Sequence, residues 1–289
     1  MPYKKENIYL FFLPVLFFQF YFLVFPLVWL FSLSFFEVPI NLKYTFVGLN
    51  NFVRALWDIT FLNSLKNSIF FVGGSVIGQV GFGFLIAVLL NQKVVIGREF
   101  YRSLFLLPWL LSDVVIGTAF ILLFSDYGTV NSILKGFGIM PPTWLTSFSL
   151  AMFVVTLANI WKSTSFYICL LSAGLINIPP DMYEAAQVDG ASLLQRFRFI
   201  TMPLMKPFLA LSLLYSTITT YNYYGVIYVI TYGGPLGATT VPAFLIYRIG
   251  LEWGELGYAS AIGVFVLMIN LFFLIIMIKM KLIGGESIE

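Results

Sequence analysis

Residues 68–90 read Ser68-Ile-Phe-Phe-Val-Gly-Gly-Ser-Val-Ile-Gly-Gln-Val-Gly-Phe-Gly-Phe-Leu-Ile-Ala-Val-Leu-Leu90, without one charged side chain. A helix needs roughly 20 apolar residues to cross a hydrocarbon layer about 30 Å thick, so this stretch predicts a membrane span. Runs of the same kind occur at 8–36, 104–124, 150–174, 208–230 and 258–278. The chain therefore reads as an all-α, multi-pass membrane protein, with six transmembrane helices in a single membrane domain over 1–289. The first run holds Pro14 and Pro26, each of which removes a backbone donor in mid-helix, so a kink or tilt is expected there. It is longer than the apolar core of a signal peptide and shows no clear small-residue cleavage site. It is read as a permanent span.

Composition agrees. Of 289 residues, 60% are hydrophobic and only 10% charged, against about 25% charged in a soluble domain. A soluble enzyme is excluded. With 16 basic and 13 acidic residues the net charge is +3, too balanced for a nucleic-acid partner. One cysteine, Cys169, and no histidine rule out a disulfide framework, the usual metal sites and His-based triads. Lys and Arg set the orientation. Inner segments would hold Lys4, Lys5, Lys93, Arg98, Arg102, Arg196, Arg198, Lys206, Lys279 and Lys281, and outer ones Lys43, Arg54, Lys66, Lys135 and Arg248. Ten against five places both termini in the cytoplasm. The outer loops at 125–148 and 231–257 are punctuated by Gly and Pro, as ordered turns are. Trp144 and Trp253 suit the headgroup level. Gly73, Gly74, Gly78, Gly81 and Gly83 crowd the second span and fit a close helix contact, with a partner chain as one candidate.

The inner loop at 178–203 carries the most information: Ile178-Pro-Pro-Asp-Met-Tyr-Glu-Ala-Ala-Gln-Val-Asp-Gly-Ala-Ser-Leu-Leu-Gln-Arg-Phe-Arg-Phe-Ile-Thr-Met-Pro203. Pro179 and Pro180 stop the incoming chain. Asp181 and Glu184 have the spacing of a capping box, predicting a helix over 182–188, and Gly190 suits the left-handed residue after its end. Ser192 and Gln195 repeat the capping pattern for a second helix, expected to end at Pro203. Such a pair is too polar to enter lipid. It either lies on the headgroups or, with small Ala185 and Ala186 beside Glu184, forms a compact knob for a partner's groove.

Glu184-Ala185-Ala186, Gly190, Ile200 and Pro203 together resemble the EAA loop of permease subunits in binding-protein-dependent ATP-binding-cassette (ABC) importers. Four further stretches narrow the resemblance to the maltose-type, carbohydrate-uptake subfamily. They are Phe46-Val-Gly-Leu-Asn-Asn-Phe52, Phe105-Leu-Leu-Pro-Trp109, Ile160-Trp-Lys162 and Gly233-Gly-Pro235. The likeness runs from Tyr9 to about Lys279. Met202, where the family usually has Leu, and Asp113, where it more often has a neutral residue or proline, depart from it. The resemblance implies a type I ABC importer permease fold in a bacterial or archaeal plasma (inner) membrane. It implies a coupling helix, with Glu184, Ala185, Ala186, Asp189 and Gly190 at the contact with a separate ATPase. It further implies a second homologous permease subunit, two ATPase subunits, and an extracellular or periplasmic solute-binding protein. The chain lacks the G-x-x-x-x-G-K-[ST] pattern, so it is expected to be no enzyme and to hold no cofactor, with ATP and Mg on the partner ATPases.

Polar residues inside spans are costly and mark pathways by default. Asn159, Lys162, Ser163 and Phe166 fall on one face of the fourth span, as do Ser216, Thr220 and Tyr223 on the fifth. Hydroxyls and amides beside rings suit sugars, and maltose-type permeases place sugar contacts on these two helices. The other reading is that they hydrogen-bond neighbouring helices. Lys162 likewise has two readings: a site for an anionic solute such as glycerol phosphate or an acidic sugar, or an ion pair with Asp113. An ion-coupled secondary transporter would show more intramembrane acids and repeated broken helices. An intramembrane enzyme would need converging acids, bases or metal ligands. Neither pattern is evident.

Overall fold

Helices whose hydrogen-bond ladders are widened just before a proline shape this fold. A computed structural model describes residues 5–38, 44–92 and 95–279; of the cations that set the orientation, Lys4, Lys43, Lys93 and Lys281 lie outside the described residues. The first span is α1 (Lys5–Gln19), a π-turn over Phe20–Val24, and α2 (Phe25–Ser34). In the π-turn the Phe25 N–H donates to the carbonyl of Phe20, five residues back. The wider turn precedes Pro26 and so accommodates its missing donor and its ring.

Next come the two-residue strands β1 (Phe36–Glu37) and β2 (Thr45–Phe46), then α3 (Asn50–Trp57) and α4 (Ile59–Leu90). After them run α5 (Arg98–Leu110), α6 (Asp113–Phe124), α7 (Thr129–Gly136) and α8 (Phe148–Ile176). The inner loop is α9 (Pro180–Val188) and α10 (Leu193–Arg196); a π-turn over Phe197–Thr201 leads into α11 (Met202–Tyr221) and α12 (Gly225–Ile230). The chain closes with α13 (Pro242–Tyr247), a π-turn over Arg248–Glu252, and α14 (Leu256–Lys279). Six helical stretches among the described residues are long and apolar enough to cross a membrane: Phe12–Ser34, Ile59–Leu90, Asp113–Gly136, Phe148–Ile176, Leu193–Ile230 and Leu256–Ile276.

Two spans are broken where unbroken runs are expected. The stretch 104–124 divides between α5 and α6, where Ser112 is extended and caps α6 by accepting the Val115 N–H at 3.3 Å. The stretch 208–230 divides at residues 222–224 between α11 and α12. Hydropathy does not register either break, because Ser112 and Asp113 at the first and Asn222 at the second are too few polar residues to interrupt an otherwise apolar run. Pro203 does not end a helix as expected. The Met202 N–H already donates to the carbonyl of Phe197, and the proline follows this widened turn inside a continuing helix.

By their contacts the residues gather into two compact units, one of 1–62 and 245–268, the other of 63–244 and 269–289. In the first, β1 and β2 pair antiparallel, Phe36 opposite Phe46. Buried Asn51 donates its amide to the carbonyls of Ser34 (3.0 Å) and Phe36 (2.9 Å), tying down the end of the first span. Arg54 pairs with Glu255 at 2.5 Å and lies 3.9 Å over the ring of Tyr258. The Tyr258 hydroxyl donates to Asp58 at 2.6 Å, and Asp58 accepts the Thr60 N–H at 2.8 Å, capping α4. Burial pushes the Asp58 carboxyl up, but the hydrogen bonds from Tyr258 and from the backbone at Thr60 and Phe61 outweigh it and hold the group below its ordinary value. From Phe12 to Trp29 every side chain is exposed, an apolar surface that only lipid or another chain can cover.

In the second unit α4 and α8 approach closely through glycines. A Cβ on Gly78 would lie 2.5 Å from Ile160, and one on Gly83 2.7 Å from Tyr167; Gly74 faces Thr156 at 3.1 Å. These three glycines therefore pack against the chain's own α8, while a Cβ on Gly73 or Gly81 would meet nothing within 4 Å among the described residues. Val80, Ala87, Tyr167, Leu171, Leu175 and Met205 form the core beneath them. The turn after α12 is built from Gly233 at φ 80°, a cis Gly234–Pro235 peptide, and Thr239 and Thr240, which donate to the carbonyls of Gly234 and Gly233. Asn67 secures it with 2.9 Å hydrogen bonds to the carbonyls of Gly237 and Thr240. Trp144 anchors the other outer loop by donating to Asn131 at 2.7 Å.

Candidate functional site

A cleft of about 190 Å³ opens between α5, α8 and α11, lined by Trp109, Asn159, Lys162, Ser163, Phe166, Tyr167, Tyr215, Thr219, Thr220 and Tyr223. Six of the seven path residues expected from the sequence meet in it. Ser216 does not: it is fully buried and donates to Gln79 at 2.7 Å. Gln79 in turn donates to the carbonyl of Asn159 at 3.4 Å, and the Asn159 amide donates to Ser75 at 3.0 Å. Asn159 itself is only 1% exposed, and Ser163 donates to its side-chain amide oxygen at 3.3 Å. One amide network thus ties α4, α8 and α11 together behind the cleft, so both readings of these polar residues hold, for different members.

The rings form a continuous wall. Phe166 lies 5.8 Å from Trp109 and 5.1 Å from Tyr215, centroid to centroid. Lys162 is ion-paired and hydrogen-bonded to Asp113, its side chain 15% and that of Asp113 30% exposed. Tyr223 donates its hydroxyl to the same carboxylate oxygen, and its ring lies 5.5 Å from the Lys162 ammonium. Asp113 opens α6 and Tyr223 sits in the break between α11 and α12, so this triad joins both broken spans to α8. Gly225 fits against it with no room to spare, since a Cβ there would fall 1.8 Å from the Asp113 carboxylate.

Sequence reasoning missed Trp109, Tyr167, Tyr215 and Thr219 in the wall, and Gln79 and Ser75 behind it. Gln79 carried a signal, as an amide in a span of apolar residues. Tyr215 and Thr219 carried none that could be separated, because 215/219/223 and 216/220/223 are equally good helical stripes and the contacts decide between them.

On the inner side, α9 begins two residues earlier than its capping pattern suggests. Pro179 is the N-cap and Pro180 the first helical residue, which suits a residue with no N–H and a preset φ. Asp181 therefore lies in the first turn, where its charge faces the positive end of the helix dipole. At the other end Gly190 is left-handed, φ 77°. Its N–H donates to the carbonyl of Gln187 and that of Ala191 to Ala186, both closing a Schellman motif. The capping box of Ser192 and Gln195 is complete. Glu184, Ala185, Asp189 and Gly190 are exposed and Ala186 half-buried. Tyr183 points inward, packing on the core and hydrogen-bonding Thr201 across the loop at 2.9 Å.

Residues 79–278 match the protein family described as binding-protein-dependent transport system inner membrane component. The chain belongs to that family. The permease is 36% identical to the trehalose/maltose transport system permease protein MalF of Thermococcus litoralis, over 96% of this chain and 95% of that one. It is 33% identical to the arabinooligosaccharides transport system permease protein AraP of Bacillus subtilis, over 98% and 90%. Among solved structures it is similar to a chain of a bacterial ABC transporter involved in the import of the acidic polysaccharide alginate, with TM-score 0.84, 25% identity and 96% and 95% coverage. A second such structure, in complex with alginate pentasaccharide-bound periplasmic protein, matches with TM-score 0.82, 25% identity and 96% and 94% coverage. The permease is thus a multi-pass inner-membrane component with the type I ABC importer fold. Cleft and inner loop both fall within the matched residues.

Proposed function

We propose that this permease carries a sugar or oligosaccharide, handed to it by an external solute-binding protein, through the membrane. A second permease subunit completes the path, and two separate ATPase subunits, holding ATP and Mg, supply the energy. The observation that carries this reading is the cleft itself. A wall of rings beside the accessible hydroxyls of Ser163 and Thr219 offers hydrogen bonds to sugar hydroxyls and flat apolar faces to sugar rings. The relatives named for trehalose/maltose and arabinooligosaccharides support the same substrate class. The exposed, capped knob around Glu184 to Gly190 is the handle on which the ATPases act. Proline at its entry, a Schellman motif at its exit and Tyr183 in the core let it move as one body with α8 and α11.

The alternative cargo, glycerol-3-phosphate or an acidic sugar, would need an available cation. Lys162 reaches the cleft but is engaged by Asp113, which favours a neutral solute. The test is ATP-dependent uptake into proteoliposomes holding the complete transporter and its binding protein. Labelled maltotriose or arabinotriose should accumulate, less so with Phe166→Ala, and not with Glu184→Lys although the protein still inserts. Uptake of glycerol-3-phosphate with neither sugar accumulating would refute the proposal.

A further inference from the structure

Tyr223 stands between two cavities. Beyond it lies a second one of about 330 Å³, lined among others by Asp113, Asn222, Tyr224, Gly225 and Tyr228. With both termini inside, α6 runs outward from Asp113 and α12 outward from Gly225, so this cavity lies on the outer side of Tyr223 and the cleft on the inner side. We propose that the outer cavity is a second sugar-ring subsite and that Asp113 makes it select uncharged glycans; the proposal rests on the sugar-importer reading. An ionised carboxylate has about four acceptor positions on its two oxygens. Lys162 and Tyr223 occupy one oxygen of Asp113, leaving acceptor capacity for sugar hydroxyls on the side that lines the outer cavity. Asn222, exposed at the break, donates its amide to the Ile218 carbonyl (2.7 Å) and to Asn270 (3.3 Å) and accepts one bond from Asn270 (3.3 Å). Its side-chain oxygen therefore keeps a second acceptor position for a sugar hydroxyl. The rings of Tyr224 and Tyr228, which also pack on Phe244, line the same cavity. An acidic sugar would instead meet the charge of Asp113 at a place where the nearest cation is already engaged. Each cavity has room for about one ring, so a glycan of two or more rings lies across Tyr223 with a ring on either side.

The test is saturation-transfer NMR on the complete transporter in nanodiscs, with glucose, maltotriose and trigalacturonate as probes. Wild type should favour maltotriose over trigalacturonate by roughly tenfold. Asn222→Ala and Tyr228→Ala should each weaken maltotriose roughly three- to tenfold, the loss of a contact or two, while glucose changes less than about twofold. Asp113→Asn should bring trigalacturonate to within about threefold of maltotriose. Should that variant fail to assemble, Asp113→Asn with Lys162→Gln removes both charges and should move the ratio the same way. Maltotriose binding that falls with Phe166→Ala yet is unmoved by both outer variants would overturn the subsite and leave the sugar reading intact. Equal binding of trigalacturonate and maltotriose by wild type would overturn the selectivity. No signal from any of the three sugars would overturn the sugar reading together with the subsite.

Discussion

Lys162 is the residue on which the largest single-site effects should fall. Removing one member of a largely buried ion pair leaves the other uncompensated, at about 3 kcal/mol or more. Lys162→Met and Asp113→Leu should each lower the thermal midpoint in nanodiscs sharply, with the double variant closer to wild type than either. Additive losses would show that the pair is not coupled. Asp58 offers a second test, on the outer face. Its carboxyl is held below the ordinary value near 3.8, so its stabilising effect is complete above that value and is lost as pH falls through the lowered one. Acid unfolding of wild type should therefore contain a component that Asp58→Asn removes and Tyr258→Phe diminishes. The sequence left Lys162 with two readings because a cation at helical spacing looks the same whether it faces a solute or a carboxylate. Asp113 lies 49 positions away, and only the tertiary contact of α6 with α8 brings them together.

Helix–helix contact governs the next scale. The glycines of α4 look equivalent in sequence, but Gly83 abuts Tyr167, whereas a Cβ on Gly81 would meet nothing within 4 Å among the described residues. Gly83→Ala should destabilise by about 1–3 kcal/mol through overpacking, whereas Gly81→Ala should be neutral or gain up to about 1 kcal/mol of helix propensity. Chemical denaturation of the isolated permease would separate the two. If Gly81→Ala instead prevented assembly with the other subunits, that face would be identified as an interface. In the inner loop Ser192→Ala should cost about 1 kcal/mol by opening the capping box, read as faster hydrogen exchange over 193–196. Elements whose signals are local were legible: six apolar runs, the left-handed Gly190, the Ser192–Gln195 cap. The breaks at 111–112 and 222–224 were not, because each carries only one or two polar residues, Ser112 with Asp113 and Asn222, inside an apolar run, and the turn is fixed by what packs against it. Nor was the passage of α11 through Pro203, since a proline is compatible with a helix once the preceding turn widens.

At the scale of the molecule, the knob reaches the path through one helical run, from Leu193 through the π-turn to Tyr221. A π-turn is a regular turn with one residue inserted. Deleting one residue from 197–201 would restore an ordinary turn and rotate α10 by about 100° relative to the cleft, twisting the exit of the knob against the hold that α8 and Tyr183 keep on its other end. Neither the residues that meet the solute nor those of the knob would be touched, yet the handle would be strained out of register with the path. The predicted phenotype is a transporter that assembles and hydrolyses ATP but delivers nothing. The phase of the drive is written in the length of this segment, not in its chemistry, and length is what a comparison of side chains alone would overlook.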